Sequence, residues 1–256
     1  MVKVLELFSG TGSVGKCCKE LGWDTVSVDM ILPADHEVDI MDFDYKQYPK
    51  DEFDIIWASP PCTNYSGLKK CWYGRKLKDG TIYSKEQNAI DQDEADKLVE
   101  KSFEIIDYFN PHYWYLENPQ TGNLKNRCIM KDKPFYDVDY CMYSDWGYKK
   151  RTRIWTNKKD WVGKLCDGSG ACGNMMQSQH KLVCDGGYDK RRKKHKLNVA
   201  KDVHTIGEKK HKVLLDKVGC GSQHNQPKDL KYLGKGTNRI DRYRIPEDLI
   251  YSLFLD

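Results

Sequence analysis

The chain has 256 residues, a formal net charge of +4, 39% hydrophobic and 12% aromatic residues. That length suits one well-filled α/β domain with a smaller appendage, and the aromatic content excludes a mostly disordered chain. No stretch is long and apolar enough to cross a bilayer, and Met1 to Phe8 lacks the charged start and cleavage site of a secretion signal. The ten cysteines follow no disulfide framework: Cys17 and Cys18 are adjacent and Cys62 follows two prolines, so a reducing compartment is expected.

In chain order, Val2 to Phe8 reads as a buried strand that runs into a glycine-rich turn and a helix from about Ser13 to Leu21. Thr25 to Val28 is the next strand and ends in Asp29. Phe53 to Ala58 is a third apolar run, closed by Pro60 and Pro61. Gln92 to Phe109 has helical spacing, with Leu98, Phe103, Ile106 and Phe109 mostly on one face. Pro111 breaks it, and Tyr113 to Leu116 forms a strand ending in Glu117 and Asn118. Strands alternating with helices predict a Rossmann-like, mostly parallel sheet covered on both faces. Chemistry in such sheets gathers beyond the carboxyl ends of the strands. Gly10, Asp29, Cys62 and Glu117 all lie just past such ends.

From Trp161 to Lys235 the apolar pattern weakens and glycine, lysine, cysteine and histidine dominate. This stretch reads as a small, irregular basic module. Tyr243 to Phe254 returns to an amphipathic pattern with Pro246 at its opening. The expected organisation is a cofactor-binding and catalytic domain over 1–160, a basic target recognition module over 161–236, and a segment over 237–256 that packs back on the catalytic domain.

Phe8-Ser9-Gly10-Thr11-Gly12-Ser13-Val14-Gly15 sets a Gly-x-Gly-x-x-Gly pattern between a strand and a helix, which allows a tight turn and close approach of a ligand to backbone. Asp29 ends the following strand, where a carboxylate can accept from both ribose hydroxyls, and Asp39 can take an adenine amino group. Dinucleotide enzymes share this arrangement with methyl-donor enzymes, and a ligand-free structural turn fits it too.

Four motifs together resemble the cytosine C5 DNA methyltransferases. Phe8-Ser9-Gly10-Thr11-Gly12 resembles their first cofactor motif, Ser59-Pro60-Pro61-Cys62 their nucleophile motif and Leu116-Glu117-Asn118 their glutamate motif. Lys149-Lys150-Arg151-Thr152-Arg153 is similar to their Gln-x-Arg-x-Arg motif, with lysine in the glutamine place. Order and spacing agree over roughly residues 1–158. The resemblance implies S-adenosylmethionine as cofactor, held by Phe8 to Gly12, Asp29, Met30, Asp39, Ile40 and Pro60. It also implies a flipped cytosine in double-stranded DNA, with Cys62, Glu117, Arg151 and Arg153 as catalytic residues.

The chemistry calls for these residue types. Carbon 5 of cytosine takes a methyl group only after a thiolate adds at carbon 6 and pushes electron density onto carbon 5. Cys62, held by two prolines, suits that step, and Glu117 can share the proton at N3 as addition proceeds. Taken singly, each residue has a plainer reading: a half-buried thiol, a turn-forming Glu-Asn pair, a solvated strand face. Their shared order behind a cofactor-type turn favours catalysis. Amino-group methyltransferases are disfavoured, because they carry Asp or Asn before the prolines where this chain has Ser59.

The basic run Lys190-Arg191-Arg192-Lys193-Lys194 suits phosphates, and Gln177, Gln179, Asn198 and Asn225 can read base edges. Cys166, Cys172, His180 and Cys184 have a spacing compatible with zinc, with Cys220 and His224 as spare ligands and unligated thiols as the alternative. Two departures from the family stand out: Lys149, and Arg242-Tyr243-Arg244-Ile245-Pro246 where the last motif has Gly-Asn-x-Val-Pro. The second leaves open a methyl donor bearing an extra carboxylate. RNA methylation and a catalytically silent nucleic-acid binder are the competing functions. A monomer is expected, in the cytoplasm of a prokaryotic or phage host or in a eukaryotic nucleus.

Overall fold

The computed structural model describes residues 1–77, 79–176, 179–180, 188–189, 194–195 and 244–255. The chain divides into two compact units. The first comprises Met1–Asp137 and Arg151–Val162, the second Val138–Lys150 and Gly163–Asp256.

The first unit is built on seven strands: β1 (Lys3–Leu7), β2 (Asp24–Asp29), β3 (His36–Glu37), β4 (Ile55–Ala58), β5 (Tyr113–Pro119), β6 (Phe135–Asp139, whose last two residues belong to the second unit) and β7 (Arg151–Thr156). Their order across the sheet is β3-β2-β1-β4-β5-β7-β6. β1 pairs in parallel with β2 and β4, and β4 with β5, whereas β7 runs antiparallel to β5. The expected mostly parallel sheet is therefore present, with an antiparallel edge. All four residues of β4, Ile-Ile-Trp-Ala, are buried, as a strand covered on both faces requires.

Helix α1 (Ser13–Glu20) follows β1, and α2 (Lys85–Phe109) precedes β5. α2 begins seven residues before the expected Gln92. Ser84 caps it by accepting from the Gln87 N–H at 3.1 Å, and the first two turns are mostly polar, with Ile90 exposed, so apolar spacing did not register them. The helix ends at Asn110, left-handed at φ 48°, before Pro111. Its Val99, Ile105, Ile106 and Phe109 join Leu5, Leu7, Ile56, Ala58, Leu116 and Trp155 in one core cluster. Each fully buried side chain of this kind stabilises by about 1.5–3 kcal/mol.

In the second unit the described residues include a short helical turn at Tyr140–Met142, the loop that follows Gly163, the two-residue pairing of Met175–Met176 with Gln179–His180, and α3 (Glu247–Leu255). Tyr188–Asp189 pairs with Lys194–His195. Most of the expected recognition module, including Gln177, Cys184, Lys190, Arg191, Arg192, Lys193, Asn198, Cys220, His224 and Asn225, lies outside the described residues, as does Arg242 of the expected C-terminal segment. Among the described residues no helix is long and apolar enough to cross a membrane.

Candidate active site and metal-ligating cluster

The sheet register builds the site. Leu7 sits opposite both Val28 and Ala58, and Ala58 sits opposite Leu116. One step beyond that row, Phe8, Asp29, Ser59 and Glu117 emerge together at the carboxyl edge. Residues up to 109 apart in sequence thus reach one rim because parallel pairing aligns their strand ends.

The glycine turn takes the left-handed backbone its glycines permit, with φ of 54° at Gly10 and 66° at Gly12, and Phe8 before them is held at φ 56°, where a side chain is strained. The Gly10 N–H donates to Asp29 Oδ2 at 2.9 Å, while the Ile31 and Leu32 N–H groups donate to Asp29 Oδ1 at 2.8 Å. Asp29 therefore organises the turn after β2 and locks it to the glycine turn. A carboxylate accepts about four hydrogen bonds, so it keeps capacity for a ribose hydroxyl. Met30 is exposed on this rim and Ile40 is buried, while Asp39 Oδ1 accepts from the Met41 N–H at 3.0 Å.

Glu6 is a participant that sequence reasoning missed. Gly12, the N-cap of α1, offers no side chain, and the buried Glu6 carboxylate replaces it by accepting from Val14 and Gly15 N–H groups at 3.2 and 2.9 Å. Burial pushes its pKa up to about 7 against those two hydrogen bonds. A β-carbon on Gly15 would lie 3.2 Å from Glu6 Oε2, so this glycine makes room for the carboxylate. An acid inside the apolar run Val4-Leu5-Glu6-Leu7 was the available signal.

Cys62 is half-buried and opens the short turn Thr63–Tyr65. Its carbonyl accepts from the Tyr65 N–H at 3.1 Å, and the Tyr65 hydroxyl donates to Asp96 of α2 at 2.8 Å. The Tyr65 carbonyl in turn accepts from the Asn123 N–H at 2.8 Å. Further along, the Lys69 ammonium donates to Asn64 at 2.7 Å and to Asp91 at 2.6 Å. On the other side, the Asn118 amide donates to the Pro60 carbonyl at 2.9 Å. The Cys62 turn is thus tied to the Glu117–Asn118 strand end directly and to α2 by a polar network. Glu117, 7% exposed, lies one residue from that tie.

β7 carries Arg151 and Arg153 on one face, with Asn118 opposite Arg153 and Gln120 donating its N–H to the Arg151 carbonyl at 3.1 Å. The Arg153 guanidinium grips Asp137 with two hydrogen bonds of 2.7 and 2.9 Å and lies 3.5 Å over the Phe135 ring. Arg153 therefore has a structural engagement of its own, while its register still places it beside the glutamate motif.

In the second unit, Cys141, Cys166, Cys172 and His180 bring their ligand atoms within 4.8 Å of one another. Three of the four expected ligands come together. Cys141 joins them, and the other expected ligand, Cys184, lies outside the described residues. Spacing pointed away from Cys141, because it stands 25 residues before Cys166, far beyond any short ligand gap. Lys149, the residue in the glutamine place, donates to the Cys166 carbonyl at 2.8 Å and pairs with Asp139 at 3.2 Å. Glutamine could not neutralise that buried carboxylate, which gives the departure a physical reason. Arg244 lies 4.7 Å over the Trp146 ring, so its charge is engaged with an aromatic face.

The sequence matches the family described as C-5 cytosine-specific DNA methylase over residues 2–127, a span holding the glycine turn, Cys62 and Glu117. A Frog virus 3 (isolate Goorha) protein named Probable DNA (cytosine-5)-methyltransferase is 35% identical over 254 residues, covering 98% of each chain. Among solved structures, the Entamoeba histolytica methyltransferase EhMeth superposes with a TM-score of 0.55 at 12% identity, covering 99% of this chain and 96% of that one, which is a likeness of fold. With relatedness running the length of the chain and the motif residues gathered on one rim, the protein belongs to the C-5 cytosine-specific DNA methylase family, the S-adenosylmethionine-dependent DNA (cytosine-5) methyltransferases.

Proposed function

We propose that the protein methylates carbon 5 of cytosine in double-stranded DNA, with the base swung out of the stack and Cys62 adding to its carbon 6. The alignment of the Cys62 turn with Glu117 on one rim, tied by the Asn118–Pro60 hydrogen bond, is the observation that carries this reading. When bound, S-adenosylmethionine supplies an electrophilic methyl group. The glycine turn and Asp29 fit it, since they offer backbone approach and a spare acceptor at the ribose.

The Cys62 thiolate forms a bond to carbon 6 while the ring's electron pair shifts toward carbon 5 and Glu117 shares its proton with N3. After carbon 5 takes the methyl group, its proton leaves, the electron pair reforms the ring double bond and the thiolate departs. Asn118 holds the turn from which Cys62 reaches the base. A duplex buries the base, so extrusion precedes each of these steps. A structural zinc ion in the second unit belongs to the same reading.

The test uses duplex DNA and transfer RNA, each carrying 5-fluorocytosine, with the methyl donor. The fluorine blocks loss of the carbon 5 substituent, so a denaturation-resistant adduct accumulates on the DNA and is absent with Cys62→Ala. Adduct on the RNA alone would overturn the DNA assignment, and equal adduct from the variant would overturn Cys62.

A further inference from the structure

Outside the methyl-transfer site, the described part of the second unit gathers soft metal-ligating atoms in one place. The His180 Nε2 atom lies 3.2 Å from Cys141 Sγ, 3.5 Å from Cys166 Sγ and 3.7 Å from Cys172 Sγ. A tetrahedral zinc with bonds of about 2.3 Å to sulfur and 2.05 Å to nitrogen separates nitrogen from each sulfur by about 3.6 Å, and sulfurs from one another by about 3.8 Å. The observed separations bracket the first value, and the 4.8 Å outer limit on the whole set admits the second.

We propose that the protein holds one structural zinc ion through Cys141, Cys166, Cys172 and His180. This assignment goes beyond the expectation of a metal in the basic module, because one ligand comes from the turn that follows β6. Three sulfurs and an imidazole nitrogen select a soft, tetrahedral ion over magnesium or calcium. Four protein ligands close the coordination sphere and leave no position for a reacting water, which makes the ion structural.

The surroundings are built to hold that arrangement. Asn174, 1% exposed, donates its amide to the carbonyls of Cys141, Ser144 and Cys172 at 2.8, 2.7 and 3.0 Å, and accepts from the Gly147 N–H at 2.9 Å. One side chain thereby fixes the backbone of two ligands. The fully buried Asp139 carboxylate accepts from the Cys166 N–H at 2.8 Å and fixes a third. Gly168, Gly170 and Gly173 have φ of 85°, 102° and 69°, which lets the chain double back between Cys166 and His180. Three thiolates around a divalent ion leave one net negative charge, and the Lys149 ammonium sits at the Cys166 carbonyl.

Buried thiols are weak hydrogen-bonding groups, and three beside an imidazole give one another little. Zinc replaces those poor contacts with bonds that exist only in the folded state, so binding energy becomes folding energy for this unit.

The experiment reads metal, not methyl transfer, so it stands or falls independently of the proposed reaction. Reduced, tag-free protein purified without chelator or added metal is analysed for elements, beside Cys141→Ser and Cys184→Ser. One zinc per chain is expected in the wild type and in Cys184→Ser, and less than about 0.1 in Cys141→Ser. Folded wild type with less than about 0.1 zinc, or loss in Cys184→Ser with retention in Cys141→Ser, overturns the assignment. Should Cys141→Ser fail to fold, the wild type loaded with cobalt(II) in place of zinc gives the answer: a charge-transfer intensity for three thiolates supports the set, and one for two or four overturns it. Thiol titration in denaturant after metal removal should find all ten cysteines reduced. Two fewer would mean a disulfide in place of the ion.

Discussion

The two units are held together by different means. The first rests on a continuous apolar cluster in which Leu5, Ile56, Val99, Phe109 and Leu116 touch across a sheet and a helix. The described part of the second also buries apolar side chains, among them Tyr140, Tyr148, Leu249, Ile250 and Leu253, but adds a set of polar staples: Asn174 reaching three carbonyls, Asp139 against Lys149, and thiols beside His180. In the first, stability is spread over area and grades with the volume removed. In the second, part of it sits in a few directional bonds, each costly to leave unmet. One chain thus contains a region whose physics is periodic in sequence and one whose physics is not.

The sharpest way to test that contrast is to cut equally deep in each. Phe109→Ala empties a fully buried site where the ring meets Phe53 at a centroid distance of 4.9 Å. It should cost about 3–5 kcal/mol in denaturant unfolding of the first unit. A loss under about 1 kcal/mol would mean the cluster relaxes and the core is less continuous than it looks. Asn174→Ala should cost about 2–4 kcal/mol, read as faster amide exchange at residues 141–147 and 163–174 while β1 and β4 exchange as before. Uniform exchange across both regions would erase the distinction. Asp137→Asn tests whether a directional bond matters in the first unit as well. It weakens the two-pronged Arg153 contact and should cost about 1–3 kcal/mol. An unchanged midpoint would place that pair among ordinary surface contacts.

A further effect is one of pH. The Glu6 carboxyl has a folded pKa of about 7 against an ordinary 4.5, because burial favours its neutral form. Between those values the folded chain holds a proton that the unfolded chain has released. The stability from this group is therefore fully present below the lower value and falls as pH rises through the window. Glu6→Gln should remove that slope, so the wild type loses ground to the variant between about pH 5 and 7 in paired unfolding curves. A wild type that gains ground over that range would reverse the assignment.

Legibility in the sequence followed the same divide. β1, the glycine turn, α1, β4 and β5 could be read because apolar runs ending in glycine, proline or acid mark strand ends whatever lies far away. The candidate residues at those ends emerged for the same reason. The start of α2 was hidden in the mostly polar stretch Lys85 to Asp91, although Ser84 and Gln87 carried a capping signal. β3, two residues long, left no pattern. Cys141 could not be found at all, since its partners are set by three-dimensional return of the chain rather than by spacing. Lys149 showed in sequence only as a mismatch, and its reason lies in a carboxylate ten residues earlier.

The place of β1 in the interior of the sheet has a consequence for the emerging chain. β1 is made among the first residues, yet its neighbour β4 and the strand after that, β5, arrive much later. Pro60 and Asn118, whose hydrogen bond steadies the Cys62 turn, are 58 residues apart. At about 5–20 residues per second, a ribosome needs roughly 3–12 seconds to bring out the second partner. Throughout that interval the Cys62 thiol is synthesised but unguarded, without the strand, the helix or the turn that later surround it. Its survival as a thiol through those seconds depends on the reducing power of the surrounding fluid, long before the fold closes around it.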